Sequence, residues 1–128
     1  MAYATQADLL DRFGPQELAQ LTDSQGGTII DETTVARALA DADADIDAHL
    51  GTRYTLPLAT VPTVLVRVAC DLARYYLWDQ RASDVVRRRY DAAMQMLKGL
   101  QRGETVLAGA DALVVSPTGQ AGGAVAVA

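Results

Sequence analysis

"TVLVRVACDLARYYLWDQR", residues 63–81, decides the fold. Val64, Leu65, Val68, Ala69, Leu72, Tyr75, Tyr76 and Leu77 recur at helical spacing and cover most of a helix circumference. A helix apolar nearly all round belongs in the middle of a structure, so the segment predicts a central helix with others packed around it. Its single polar line is Arg67, Asp71 and Arg74, with Asp71 within helical reach of both arginines. Cys70, the only cysteine, falls inside the apolar pattern, which predicts a buried, inert thiol and rules out an intramolecular disulfide.

The neighbours of this helix follow from capping residues and apolar spacing. Downstream, Ser83 caps a helix from Asp84 to about Gln101 with Val86, Tyr90, Ala93, Leu97 and Leu100 on one side, and Gly103 closes it. Upstream, Asp31 or Thr33 caps a long helix to Leu50, its Val35, Leu39, Ala42, Ile46 and Leu50 spaced for one buried face. Gly51 is expected as its left-handed terminus. Residues 52–62 read as an extended connection, because residues before Pro57 and Pro62 are pushed out of the helical region. Thr5 with Asp8 forms a capping pattern for a short helix reaching Phe13, and Pro15 opens a second short helix ending near Leu21. "TDSQGG", residues 22–27, is a turn or loop.

The expected fold is therefore mainly α: a small bundle of about five helices over residues 1–102. An extended C-terminal arm follows over residues 103–128. The arm has many small residues and no basic one, and its pieces "TVLAG" and "ALVVS" are β-prone and able to pair as short strands. With 128 residues, the chain fits one domain. Its longest apolar stretch, Val61 to Cys70, is broken by Arg67 and is far shorter than the roughly 20 residues of a membrane span. No cleavable leader pattern opens the chain, so a soluble, unexported protein is expected.

Four aspartates at alternate positions, Asp41, Asp43, Asp45 and Asp47, raise the question of a metal site. A calcium loop starting at Asp41 needs Gly at its sixth position and Glu at its twelfth, where this chain has Ile46 and Thr52. On a helix the four split into two pairs, Asp41 with Asp45 and Asp43 with Asp47, on opposite flanks of the buried face. They do not converge on one ion, and a solvated or interface-facing flank is expected. His49, the only histidine, reads as a partly buried helix-terminal residue. Neither a Gly-rich phosphate loop nor a set of nucleophile, base and orienting acid is present, so no catalytic residue, metal or cofactor is implied and an enzyme is the weakest class.

Charge is divided unevenly. Residues 1–66 carry ten acidic and three basic side chains, whereas residues 67–128 carry six acidic and eight basic, giving −5 overall. Such two-ended chains suit subunits that meet front to back. The one basic concentration, Arg87, Arg88 and Arg89, has Asp84 and Asp91 at helical spacing, which weakens a reading as a sequence-specific DNA groove binder. A small DNA-associated or regulatory helical protein is the alternative.

The order of "IDAHLGTRYTLPL", "CDLARYYLWDQR" and "VVRRRYDAAMQMLKGLQRGE" with short spacers resembles the Mu-like prophage family of small virion proteins. More loosely it resembles the head-tail connector (adaptor) proteins of long-tailed phages. The resemblance spans about residues 4–107 and leaves the arm unmatched. It implies an α-helical adaptor made in the bacterial host cytoplasm and assembled in the virion as a homo-oligomeric ring of twelve copies under the portal protein. Such a ring holds the next neck or tail component and lies near packaged DNA, with no membrane partner. The candidate contact residues are Asp43 and Asp47 on the acidic flank, and Arg53 and Tyr54 at the bend after the long helix. Tyr54 is expected to pack its ring, leaving Arg53 available for a carboxylate. Arg87, Arg88, Arg89 and the arm residues Leu113, Val114 and Val115 complete the set.

Overall fold

The computed structural model describes residues 2–107. Its helices are α1 (Gln6–Phe13), α2 (Pro15–Thr22), α3 (Glu32–Leu50), α4 (Thr63–Trp78) and α5 (Asp84–Arg102), with a single 3₁₀ turn, Asp79–Arg81, after α4. No strand occurs among the described residues. The five-helix, mainly α expectation holds, and the β-prone pieces fall largely outside the described residues.

Starts and stops are set locally. The Thr5 side chain accepts from the Asp8 amide while the Asp8 carboxylate accepts from the Thr5 amide, a reciprocal pair that satisfies two otherwise orphaned donors of α1. Gly14, at φ 87°, turns the chain directly into Pro15, whose missing N–H is harmless at a first helical position. Asp31 caps α3 and Ser83 caps α5 through their side-chain oxygens. Gly103 adopts the left-handed conformation, and the amides of Glu104 and Thr105 fold back onto the Gly99 carbonyl.

Two boundary expectations are corrected. Gly51 is right-handed, at φ −61°, because the helix continues tightening past it: Arg53 and Tyr54 both donate backbone bonds to the Leu50 carbonyl. Residues 52–62 begin as a turn and continue through two bends rather than as one straight extended run, with a cis Leu56–Pro57 bond. The α-helical part of the central helix also stops at Trp78, where Asp79 takes a positive φ of 54°.

Helix α4 is the centre. Leu65, Ala69, Cys70, Leu72 and Ala73 are fully buried there, meeting Ile46 and Leu50 of α3 and Leu97 and Leu100 of α5 in one continuous core. The first turns of α3 face the end of α4, and Tyr75 of α4 stacks on Tyr90 of α5 with centroids 3.9 Å apart. The short pair α1 and α2 covers a further side of α4, so the central helix is enclosed by all four others, as its near-uniform apolarity requires.

Candidate functional site

The aspartates of α3 divide as the helical wheel requires, but most of them face inward partners rather than open solvent. The Tyr3 backbone amide donates to Asp43 Oδ1 at 3.0 Å, and its hydroxyl donates to Asp47 Oδ1 at 2.5 Å. Residues 3 and 4 are buried, so the segment before α1 is a strap lashed to α3. On the other flank the Tyr76 hydroxyl donates to Asp45 Oδ2, while the His49 Nδ1–H donates to the Asp45 carbonyl at 2.7 Å. Burial first, then the neighbouring carboxylates, push the Tyr3 and Tyr76 hydroxyls well above the usual tyrosine range. Asp43 is raised mainly by burial. No group of three or more metal-ligating side chains occurs among the described residues.

The bend after α3 is likewise internal. Arg53 Nε donates to the Gln101 carbonyl at 3.1 Å and its Nη2 to the Arg102 carbonyl at 3.0 Å, so it satisfies the open C-terminal end of α5. The expected carboxylate partner is therefore corrected to two backbone carbonyls, which the sequence gives no means of pairing with residue 53. Tyr54 packs its ring as expected and is 3% exposed; its hydroxyl accepts from the Leu107 amide at 3.1 Å. Arg87, Arg88 and Arg89 are all exposed on α5. Leu113, Val114 and Val115 lie outside the described residues.

The polar line of α4 is also rearranged. Arg74, expected beside Asp71, instead makes a two-pronged pair with Glu17 of α2 at 2.7 and 2.9 Å, and its guanidinium lies over the Phe13 ring. Trp78 donates its Nε1–H to the same Glu17 at 3.2 Å and is half-buried. Cys70 is fully buried, and burial pushes its thiol up to about 12, as befits an inert position.

Sequence reasoning missed the setting of Asp71. This residue is 8% exposed at the base of a cleft of about 270 Å³ between α4 and α5, lined also by Arg67, Val68, Arg89, Ala92 and Ala93. Among the described residues no hydrogen bond or close ion pair reaches its carboxylate. Burial raises its pKa, against the opposing pull of Arg89, Arg67, Arg12 and Arg74. A folded-state pKa above the unfolded value means that the folded chain holds the proton more tightly. This group therefore costs stability once pH climbs through the ordinary carboxylate range. Asp71→Asn is accordingly expected to raise the melting temperature at pH 7, with the gain shrinking as pH falls toward about 4 and absent below it. Thermal melts of both proteins across that range check it; a gain independent of pH would assign the effect to packing.

A larger, more open cleft of about 420 Å³ lies where Thr34, Arg37 and Asp41 of α3 face Tyr76 and the 3₁₀ turn. Its polar lining comes from side chains at the mouth, and Asp41 is the one aspartate of the four directed there.

The family model described as "Bacteriophage Mu, Gp36" matches residues 3–126. The Mu-like prophage FluMu protein gp36 of Haemophilus influenzae is 40% identical over 101 residues, covering 79% of this chain and 72% of that protein. Gene product J of Escherichia phage Mu is 33% identical over 125 residues, covering 94% of this chain and 86% of the relative. The match to residue 126 corrects the expectation that similarity stops near residue 107. With all five helices and the strap inside the matched span, the chain belongs to the Bacteriophage Mu Gp36 family of phage proteins.

Proposed function

We propose that this protein is a structural subunit of the phage neck, a head-tail connector that assembles as a ring under the portal protein and links capsid to tail. The observation that carries this reading is where the polar side chains go. Tyr3, Asp43, Asp45, Asp47, Arg53, Glu17 and Arg74 tie one element to another, while Arg87, Arg88 and Arg89 stand exposed on α5. That division suits an assembly module better than a catalytic one, and membership in a phage family supplies the setting. On this reading the copies meet front to back, twelve to a ring, and the arginines of α5 stand near packaged DNA without reading its sequence.

The test is to mix the protein with the portal ring encoded in the same genome and image the product by electron microscopy. A new symmetric layer on the portal is expected. A bare portal, with the folded protein present in the same sample, overturns the adaptor assignment. Salt-sensitive binding to duplex DNA that weakens when Arg87, Arg88 and Arg89 become Ala would favour the DNA-associated alternative instead.

A further inference from the structure

The cleft at Asp71 has three chemically distinct parts. Its apolar lining comes from buried Val68 and Ala93, with Ala92 at the exposed edge. At its mouth stand the exposed arginines Arg67 of α4 and Arg89 of α5, and Arg12 of α1 lies within electrostatic reach of the same carboxylate. Asp71 lines it with neither a protein hydrogen-bond donor nor a close cation among the described residues, its carboxylate open to the solvent of the cleft. Three helices thus direct cations around one carboxylate that a docking group can reach. An occupant that fits brings carboxylates for the arginines, an apolar group for the apolar lining and a hydroxyl or amide donor for Asp71.

The same chain presents such a surface elsewhere. In the corner between α2 and α3, the Asp23 carboxylate accepts from the amides of Gln25, Thr28 and Ile29 at 2.9, 3.0 and 3.1 Å, which fixes the loop. Fixed in this way, the loop holds Ile29 71% exposed, the most exposed large hydrophobic residue among those described. After half-buried Ile30 come Asp31, Glu32 and Thr33, all exposed, with the Asp31 carboxylate also capping α3 through the Thr33 amide and the Thr34 hydroxyl. An isolated surface isoleucine needs no explanation, but one held outward by three backbone bonds and followed by two acids and a hydroxyl has the composition the cleft lacks.

We propose that the Ile29–Thr33 corner of one copy docks into the Arg67–Asp71–Arg89 cleft of the next. Ile29 covers Val68, Ala92 and Ala93; Asp31 and Glu32 face the arginines; and the Thr33 hydroxyl supplies the donor for Asp71. The two surfaces are different patches of one chain, so the contact is heterologous and propagates, closing into a ring if the rotation allows. The inference rests on the ring reading given above, but its test needs no portal, so the two can fail separately.

The experiment traps the contact between two differently labelled full-length chains. Thr28→Cys, which keeps Ile29 and the backbone bonds of the loop, is mixed at low salt with Ala92→Cys, at the exposed edge of the cleft, and a short thiol-to-thiol crosslinker is added. Cys70 is fully buried and remains in both. The mixed dimer is expected to exceed either homodimer by roughly tenfold, the factor that corresponds to about 1.4 kcal/mol. It is expected to fall several-fold when the Ala92→Cys chain also carries Arg67→Gln and Arg89→Gln, and again as salt rises. Should the arginine variant unfold, Glu32→Lys in the Thr28→Cys chain reads the same contact from the other side at an exposed residue. Equal yields of the three dimers, or a mixed yield indifferent to Glu32→Lys, overturns the proposal. So does loss of salt-sensitive duplex DNA binding in the arginine variant with the mixed crosslink unchanged, which would give the cleft to phosphate groups instead.

Discussion

Tyr3→Ala is expected to lower the stability of the domain by about 3–4 kcal/mol, the usual cost of deleting a buried aromatic ring. The size is unexpected for a residue so near the start of the chain, where segments are ordinarily poorly ordered unless tied down. Here the ring is 2% exposed, the hydroxyl reaches Asp47, and the backbone amide of the same residue reaches Asp43. In a domain of about this size each kcal/mol moves the melting temperature by roughly 4–8 °C, so a drop of roughly 15–25 °C is expected. Tyr3→Phe separates the parts: it keeps the ring and removes the hydroxyl, for a cost of about 1–2 kcal/mol. Urea denaturation of the three proteins measures both numbers. A Tyr3→Ala protein that melts with the original would show that the strap contributes nothing to the fold.

The second large effect is expected at Glu17. Its carboxylate accepts from both Arg74 and Trp78 and so ties α2 to the far end of α4, and the Glu17 and Arg74 side chains are 21% and 16% exposed. Glu17→Ala removes two charge-assisted bonds and the indole's acceptor, and leaves a guanidinium partly desolvated over Phe13. Breaking a fully buried pair costs 3–5 kcal/mol, and an exposed one typically below 1; this pair falls between, at about 2 kcal/mol. A double-mutant cycle with Arg74→Ala should return a coupling of roughly 1–2 kcal/mol. Additive losses would mean that the two side chains act separately and that α2 is held by its buried residues Leu18, Ala19 and Thr22.

What could be read from the sequence divides along a physical line. The capping residues Thr5, Asp31 and Ser83 and the closing Gly103 act within a few residues of themselves, so helix limits were legible from local chemistry. The apolar character of residues 63–78 likewise announced a central helix. Gly51 shows the limit of such reading: glycine permits a left-handed terminus but does not require one, and the neighbouring amides of Arg53 and Tyr54 decided otherwise. Polar partners were not legible, because a helical wheel gives the direction of a side chain and not what stands opposite. Asp43 and Asp47 were correctly placed on one flank, yet only the folded chain brings Tyr3 to them from some 40 residues away. Arg74 offered an equally good partner one turn earlier in Asp71, and Glu17, far off in sequence, had the better geometry. That choice is what left Asp71 alone at the base of its cleft.

The bond from the Leu107 amide to the Tyr54 hydroxyl, with Arg53 gripping the end of α5 beside it, also acts as a mooring. Whatever residues 108–128 engage, they set out from one fixed point on the body rather than from a fraying helix end. At a maximal rise of about 3.5 Å per residue their reach is bounded at about 70 Å. Loosening the mooring with Tyr54→Phe would shift the point from which the chain leaves the body back toward the end of α5, while leaving every residue beyond it unchanged.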